Sequence, residues 1–269
     1  MILPAALEAD ASAPVVYFHG QPGASGELEA VWPGDGRPRR LWAPDRNDLW
    51  PDLPLGEALD HLAAEISRRF PQGPIRLVGF SLGGFIAIET ALRLEAAGRP
   101  DLSLDLVSAA APLDCGEFLP SMAGRAVFTL ARDRLRLFAL LTRAQGWVAG
   151  RAPGFLFRQI FADAAGADAD LARDPAFQAA LVSILVHGLT GDSRGYRREV
   201  LGYVAWPGAR LAALRAPVTL WQGEADTWTP PAMADALAKA LPHVVALRRF
   251  AGLSHYSTLG RALPEILGP

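Results

Sequence analysis

Residues 75–98, IRLVGFSLGGFIAIETALRLEAAG, leave the chain little choice of local structure. The first six, IRLVGF, are an apolar run of strand length, and the stretch behind Ser81 reads as a helix ended by Gly98 and Pro100. Between them Gly79, Ser81 and Gly83 fit G-x-S-x-G, a spacing that turns a strand sharply into a helix and holds a serine hydroxyl out on the turn. The two flanking glycines allow a closer backbone approach than any Cβ would permit. A strand feeding a helix in this way belongs to an α/β sheet.

The rest of the chain repeats the alternation. APVVYFHG predicts a buried strand over Val15–Phe18, and RRLWAPD predicts another near Leu41–Ala43. LGEALDHLAAEISRRF, from Leu55 to Phe70, places Leu59, Leu62, Ala63 and Ile66 on one helical face. LDLVSAAAP, APVTLWQG and VVALRRFAG read as further strands, PPAMADALAKALP as a proline-opened helix and RALPEILG as a short closing helix. The expected fold is a mostly parallel sheet flanked by helices. Between Leu113 and about Arg210 the strands stop, and a helical text carries Phe118, Phe128, Phe138, Trp147, Phe155, Phe157 and Phe161. The expected organisation is an α/β core over residues 1–112 and 211–269, with a helical cap over 113–210.

Charge excludes several partners. With 26 basic and 28 acidic residues the net charge is −2, so no overall field draws in nucleic acid or an anionic membrane. The arginines are scattered, and the basic stretch ARDRLRLFALLTRAQ reads as a solvated helix face. One cysteine, Cys115, rules out an internal disulfide framework and a multi-cysteine zinc site. The N-terminal residues lack a basic stretch followed by a long apolar one, and no later segment runs eighteen apolar residues without a charge. The expectation is a soluble cytoplasmic protein with neither membrane nor nucleic-acid partner; its oligomeric state is not readable.

A serine hydroxyl needs a base within hydrogen-bond reach, and the base needs a third group to orient it. Of five histidines, His61 and His187 fall inside predicted helices, and His243 sits in an exposed connection. His19 reads as a brace for the loop after the first strand. His255, in FAGLSHYST, follows the last strand at the carboxyl edge of the sheet and is the candidate base. Asp226, in LWQGEADTWTP, is the candidate acid, with Asp114 and Glu224 as rivals. Two backbone N–H groups are needed for an oxyanion hole: Leu82, directly behind the serine, and Gln21, in FHGQPGASG, where Pro22 has no N–H to offer. Trp228 and Tyr256 flank the acid and the base and are candidates for lining a substrate pocket. No metal or organic cofactor is implied.

In their order along the chain, HGQPG, GFSLGG, Asp226 and His255 resemble the α/β-hydrolase superfamily. That resemblance covers nearly the whole chain and implies a helical cap inserted after the strand that follows the nucleophile's helix. LWQGEADTWTPPAMADALAKALP is similar to the acid-bearing segment of capped bacterial members. About fourteen residues precede the first strand, so the antiparallel hairpin that opens many members is expected to be absent or reduced. Haloalkane dehalogenases carry a similar HG-x-P-G stretch, but they and epoxide hydrolases have aspartate where this chain has Ser81. A serine alkyl ether would not hydrolyse as an ester does, so neither chemistry is expected.

The resulting expectation is a serine hydrolase of short-to-medium acyl carboxylic esters, working through Ser81, His255 and Asp226. C–C bond hydrolase, lactonase, thioesterase and perhydrolase activities use the same triad and stay open. So do an acyltransferase, in which an alcohol replaces water, and a non-catalytic ligand-binding protein on the same fold.

Overall fold

The computed structural model describes residues 13–32 and 40–268 of the chain. Six strands form one sheet in the order β2-β1-β3-β4-β5-β6. They are β1 (Val15–Phe18), β2 (Leu41–Trp42), β3 (Ile75–Phe80), β4 (Leu102–Val107), β5 (Val218–Gly223) and β6 (Val244–Phe250). Every pairing among the described residues is parallel, with Val16 opposite Leu77, Leu77 opposite Leu104 and Leu104 opposite Val218. The expected reduction of an N-terminal hairpin falls on residues 1–12, outside the described residues.

Parallel strands must be covered on both faces, and strand alternation divides the core accordingly. Val16, Phe18, Leu77 and Leu104 pack with α2 (Leu55–Arg69), α3 (Leu82–Ala96) and α10 (Pro231–Ala240). Val15, Tyr17, Val78 and Phe80 pack on the other face with α1 (Glu27–Val31) and α11 (His255–Leu267). The central helix α3 is buried on nearly every side, which is why its sequence is apolar throughout.

Between β4 and β5 the chain runs through α4 (Arg125–Asp133), α5 (Leu135–Arg151), α6 (Pro153–Ile160), α7 (Asp168–Leu171), α8 (Pro175–Leu189) and α9 (Arg194–Val204). Three short 3-10 segments, Leu113–Cys115, Leu119–Ser121 and Gly208–Ala213, tie these helices to the sheet. Phe118, Phe128, Phe138, Phe157 and Phe161 are buried, whereas Trp147 and Phe155 are exposed. The closing helix is longer than its sequence suggested: α11 starts at His255 instead of near Arg261. Ser254 and Ser257 close a reciprocal capping box there, which holds the first turn despite residues of modest helix propensity.

Candidate active site

The turn behind β3 places Ser81 at φ 56°, in a left-handed conformation that a non-glycine residue holds only under local strain. Close packing enforces it. A Cβ on Gly83 would stand 2.0 Å from the Phe18 carbonyl oxygen, and one on Gly79 would stand 2.6 Å from that of Gly83. Strand, turn and helix therefore interlock, and the Ser81 carbonyl is fixed by the N–H groups of Gly84 at 3.0 Å and Ala110 at 3.1 Å.

Asp226 lies in the turn after β5, and His255 opens α11 just past β6. Their ring and carboxylate meet in a buried pair, the Nδ1 of His255 standing 2.8 Å from Oδ2 of Asp226. The other carboxylate oxygen accepts the N–H groups of Trp228 at 2.8 Å and Thr229 at 3.0 Å. The Thr229 hydroxyl lies 3.0 Å from Oδ2 of Asp226 and 2.8 Å from the Ser108 carbonyl oxygen. Burial opposes ionisation of Asp226, but the His255 charge and these hydrogen bonds hold its carboxyl below the usual range. For His255, burial disfavours the cation, yet the adjoining Asp226 carboxylate raises its pKa above the ordinary histidine value. With Nδ1–H directed at Asp226, Nε2 is the ring position left to accept a proton.

Ser81 and His255 line one small cavity of about 30 Å³, together with Gly20, Phe161, Leu185 and Tyr256. A second, of about 40 Å³, lies on the other flank of Ser81, walled by Leu82, Met122, Phe128, Tyr196 and Val200. Gln21, Pro22 and Trp228 border both. Leu82 is the first residue of α3, so its N–H has no acceptor within the helix. Thus Ser81, Gln21 and Trp228 border both cavities, with His255 and Tyr256 on the first and Leu82 on the second.

The rivals stand elsewhere. Asp114 is exposed and accepts the Gly208 N–H at 2.9 Å, and Glu224 is exposed. His61 stacks on Trp50, and His187 faces Asp45 and Asp48 at the surface. His19 is fully buried: its Nδ1–H donates to the Gly20 carbonyl at 2.7 Å, while Nε2 accepts the Arg46 N–H at 3.2 Å. Burial and the Arg46 charge depress its pKa well below the ordinary value, so it stays neutral and braces the loop.

Sequence reading missed the groups that shape this loop. The Gln21 side chain donates to Glu199 at 3.0 Å and to Asn47 at 3.2 Å. Glu199, from α9, binds Arg46 through two hydrogen bonds of 2.8 and 2.9 Å in a buried ion pair. Glu27 accepts the Gly20 N–H at 2.7 Å and the Tyr17 hydroxyl at 2.6 Å; burial lifts its pKa to about 7 against the pull of those bonds. Asp168, from α7, accepts the N–H groups of Tyr256 at 2.9 Å and Ser257 at 2.8 Å, capping the helix that carries His255. Glu27, six residues after Gln21, was the one with a local signal; Arg46, Asp168 and Glu199 meet their partners only through the tertiary fold.

Sheet order, serine turn and inserted helices together match the α/β-hydrolase fold. A thioesterase-domain family model matches residues 43–146, a span that includes Ser81 and stops short of Asp226 and His255. No curated protein sequence matches the chain. Among solved structures, a bromoperoxidase from Bacillus anthracis is 17% identical, with 95% of this chain and 91% of that one covered and a TM-score of 0.62. A thermophilic esterase from Thermogutta terrifontis is 19% identical over 95% and 89% of the two chains, with a TM-score of 0.59. An enol-lactonase from Burkholderia xenovorans is 16% identical over 94% and 88%, also with a TM-score of 0.59.

Proposed function

We propose that the protein is a serine hydrolase of small carboxylic esters, with Ser81 as nucleophile, His255 as base and Asp226 as its orienting acid. The observation that carries this reading is the buried 2.8 Å His255–Asp226 pair, whose His255 borders the same cavity as a serine held at φ 56°. His255 takes the Ser81 proton on Nε2 as the hydroxyl attacks the ester carbonyl, and Asp226 fixes the tautomer and steadies the imidazolium. The N–H groups of Gln21 and Leu82 receive the oxyanion, each contributing ~3 kcal/mol. Protonated His255 then hands its proton to the departing alcohol, and water, activated by the same imidazole, releases the acid. Cavities with room for only a few waters on either side of Ser81 support short acyl and alcohol groups over long ones. Trp228 and Tyr256 line this space. In this reading residues 113–210 act as a cap on the 1–112 and 211–269 core, and the setting is cytoplasmic.

The thioesterase-domain match favours a second reading, hydrolysis of a thioester by the same steps. A matched panel of oxygen esters and acyl thioesters separates the two by their kcat/KM.

Labelling of native protein with a fluorophosphonate, followed by peptide mass analysis, tests the site without a choice of substrate. One adduct per chain on Ser81, lost in His255→Ala, is expected. Folded protein that takes no label, or that takes it equally well without His255, overturns the assignment.

A further inference from the structure

Helix α5 is apolar on two opposite faces. Phe138, Thr142 and Ala149 point into the insertion's own core and are buried. Leu137, Leu140, Ala144 and Trp147, spaced three, four and three residues apart, form a second stripe on the outward side. Their exposure is high: 50% for Leu137, 62% for Leu140 and 59% for Trp147, with Leu135 and Phe155 exposed alongside. A helix whose solvent side is leucine and tryptophan, when its other side already fills a core, has a face that water does not suit.

Charge identifies what suits it. Residues 125–158 carry seven arginines, all exposed, against a single acid, Asp133. Asp133 is already paired with Arg132 at 2.9 Å. Among the described residues Arg125, Arg136, Arg143, Arg151 and Arg158 have no carboxylate in ion-pair reach. Arg136 and Arg143 flank the Leu140–Trp147 stripe, and the Arg151 guanidinium stacks over the Trp147 ring at 4.8 Å from its centre. The expected neutrality of the chain thus hides an uneven distribution: this segment is strongly basic and the remainder is net acidic. The arginines also do not stand opposite the leucines, as a solvated face would have them.

We propose that α5 and its neighbours form a docking face for an anionic lipid surface, with Leu137, Leu140 and Trp147 entering the headgroup boundary and the arginines meeting lipid phosphates. Aliphatic and indole side chains bordered by cations are the composition of a helix lying in a bilayer interface, and long arginine stems let the charge reach the headgroups from that depth. A second copy of the chain fits poorly, because a two-fold contact would press this arginine cluster against itself. A nucleic acid would use the arginines and leave the leucines without a partner. The helices packed against α5 reach the substrate space, Phe128 of α4 lining one cavity and Ile160 of α6 the other. The contact is peripheral, since no described helix is long and apolar enough to cross a membrane.

The test is flotation of the full chain with vesicles of phosphatidylcholine alone or mixed with phosphatidylglycerol. Binding to the mixed vesicles alone, weakened by salt, is expected. Arg136→Gln with Arg143→Gln should lower partitioning more than tenfold, at about fivefold per arginine. Leu140→Glu with Trp147→Glu should abolish it, and turnover of a soluble ester should be unchanged in both variants. Wild-type protein that fails to float with the mixed vesicles overturns the proposal, and so does undiminished binding by the Leu140→Glu, Trp147→Glu variant. A Trp147-dependent dimer in sedimentation without vesicle binding assigns the face to a second copy instead.

Discussion

Two polar clusters stand behind Ser81, one around Asp226, Thr229 and His255, the other around Gln21, Arg46 and Glu199. The first is local: Asp226 is three residues from Thr229 and 29 from His255, and its own turn supplies two N–H donors. The second spans the chain, since Gln21 and Glu199 are 178 residues apart and Arg46 and Glu199 are 153 apart. Both bury their charged groups, yet they solve the cost of burial differently. The first shares one charge among short hydrogen bonds from its own loops, whereas the second sets a full guanidinium against a full carboxylate. On the proposed mechanism the first governs where a proton sits, while the second ties the Gln21 loop to α9. Rate should therefore depend on the first cluster, and folding on the second.

Asp226→Asn should show the largest separation of the two. Its kcat should fall by roughly 10⁴-fold, through the wrong tautomer of His255, while the urea midpoint moves little. The acid limb of the wild-type pH profile should lie above pH 6.5, because activity needs neutral His255 and Asp226 raises its pKa; the residual activity of the variant should keep a limb at lower pH. Equal losses of rate and stability would break the contrast. Next in size, Glu199→Ala leaves Arg46 buried without a counter-charge and should cost about 3–5 kcal/mol in chemical denaturation, with the remaining folded fraction still labelled at Ser81.

Glu27 sharpens the comparison through pH. Its carboxyl is raised from 4.5 to about 7 in the folded state, so between those values the folded chain binds more protons than the unfolded one. Stability is then fully present below pH 4.5 and falls as pH rises through 7, by roughly 3 kcal/mol for this one group. Glu27→Gln keeps an acceptor for Tyr17 and Gly20 and should flatten that decline in urea titrations run across the window. The smallest effect belongs to Gln21→Ala. It removes the side-chain bonds to Asn47 and Glu199 but keeps the backbone N–H, so about 1 kcal/mol of stability and a few-fold in kcat should be lost.

Sequence reading reached what local rules decide. The apolar runs of β1, β3, β4 and β5, the glycines around Ser81 and the proline that opens α10 each act within a few residues, and strand alternation makes their burial readable. α11 was shortened because Ser254 and Ser257 stabilise its start by a reciprocal cap, while the intervening sequence is a mediocre helix former. The supports of the site were invisible for a different reason. Asp168 and Glu199 lie in the inserted helices as ordinary-looking acids, and only the tertiary fold brings them to Ser257 and Arg46. The outward stripe of α5 is not legible as a face of its own, because helical periodicity reports two apolar faces without saying which one meets the core.

The distance between β4 and β5 along the chain has a consequence for how the molecule comes into being. These neighbouring strands, Leu104 beside Val218, are separated by all the inserted helices. During synthesis from the N-terminus, β1, β3, β4 and the strained serine turn are complete long before β5 emerges. The inserted helices must collapse early, or closing so long a loop would slow the last pairing. Asp226 and His255 arrive with the final strands, so on the proposed assignment a nascent chain holds its nucleophile without a base. On that assignment chemical competence comes only with the closing helix, and an incomplete chain carries the serine inert.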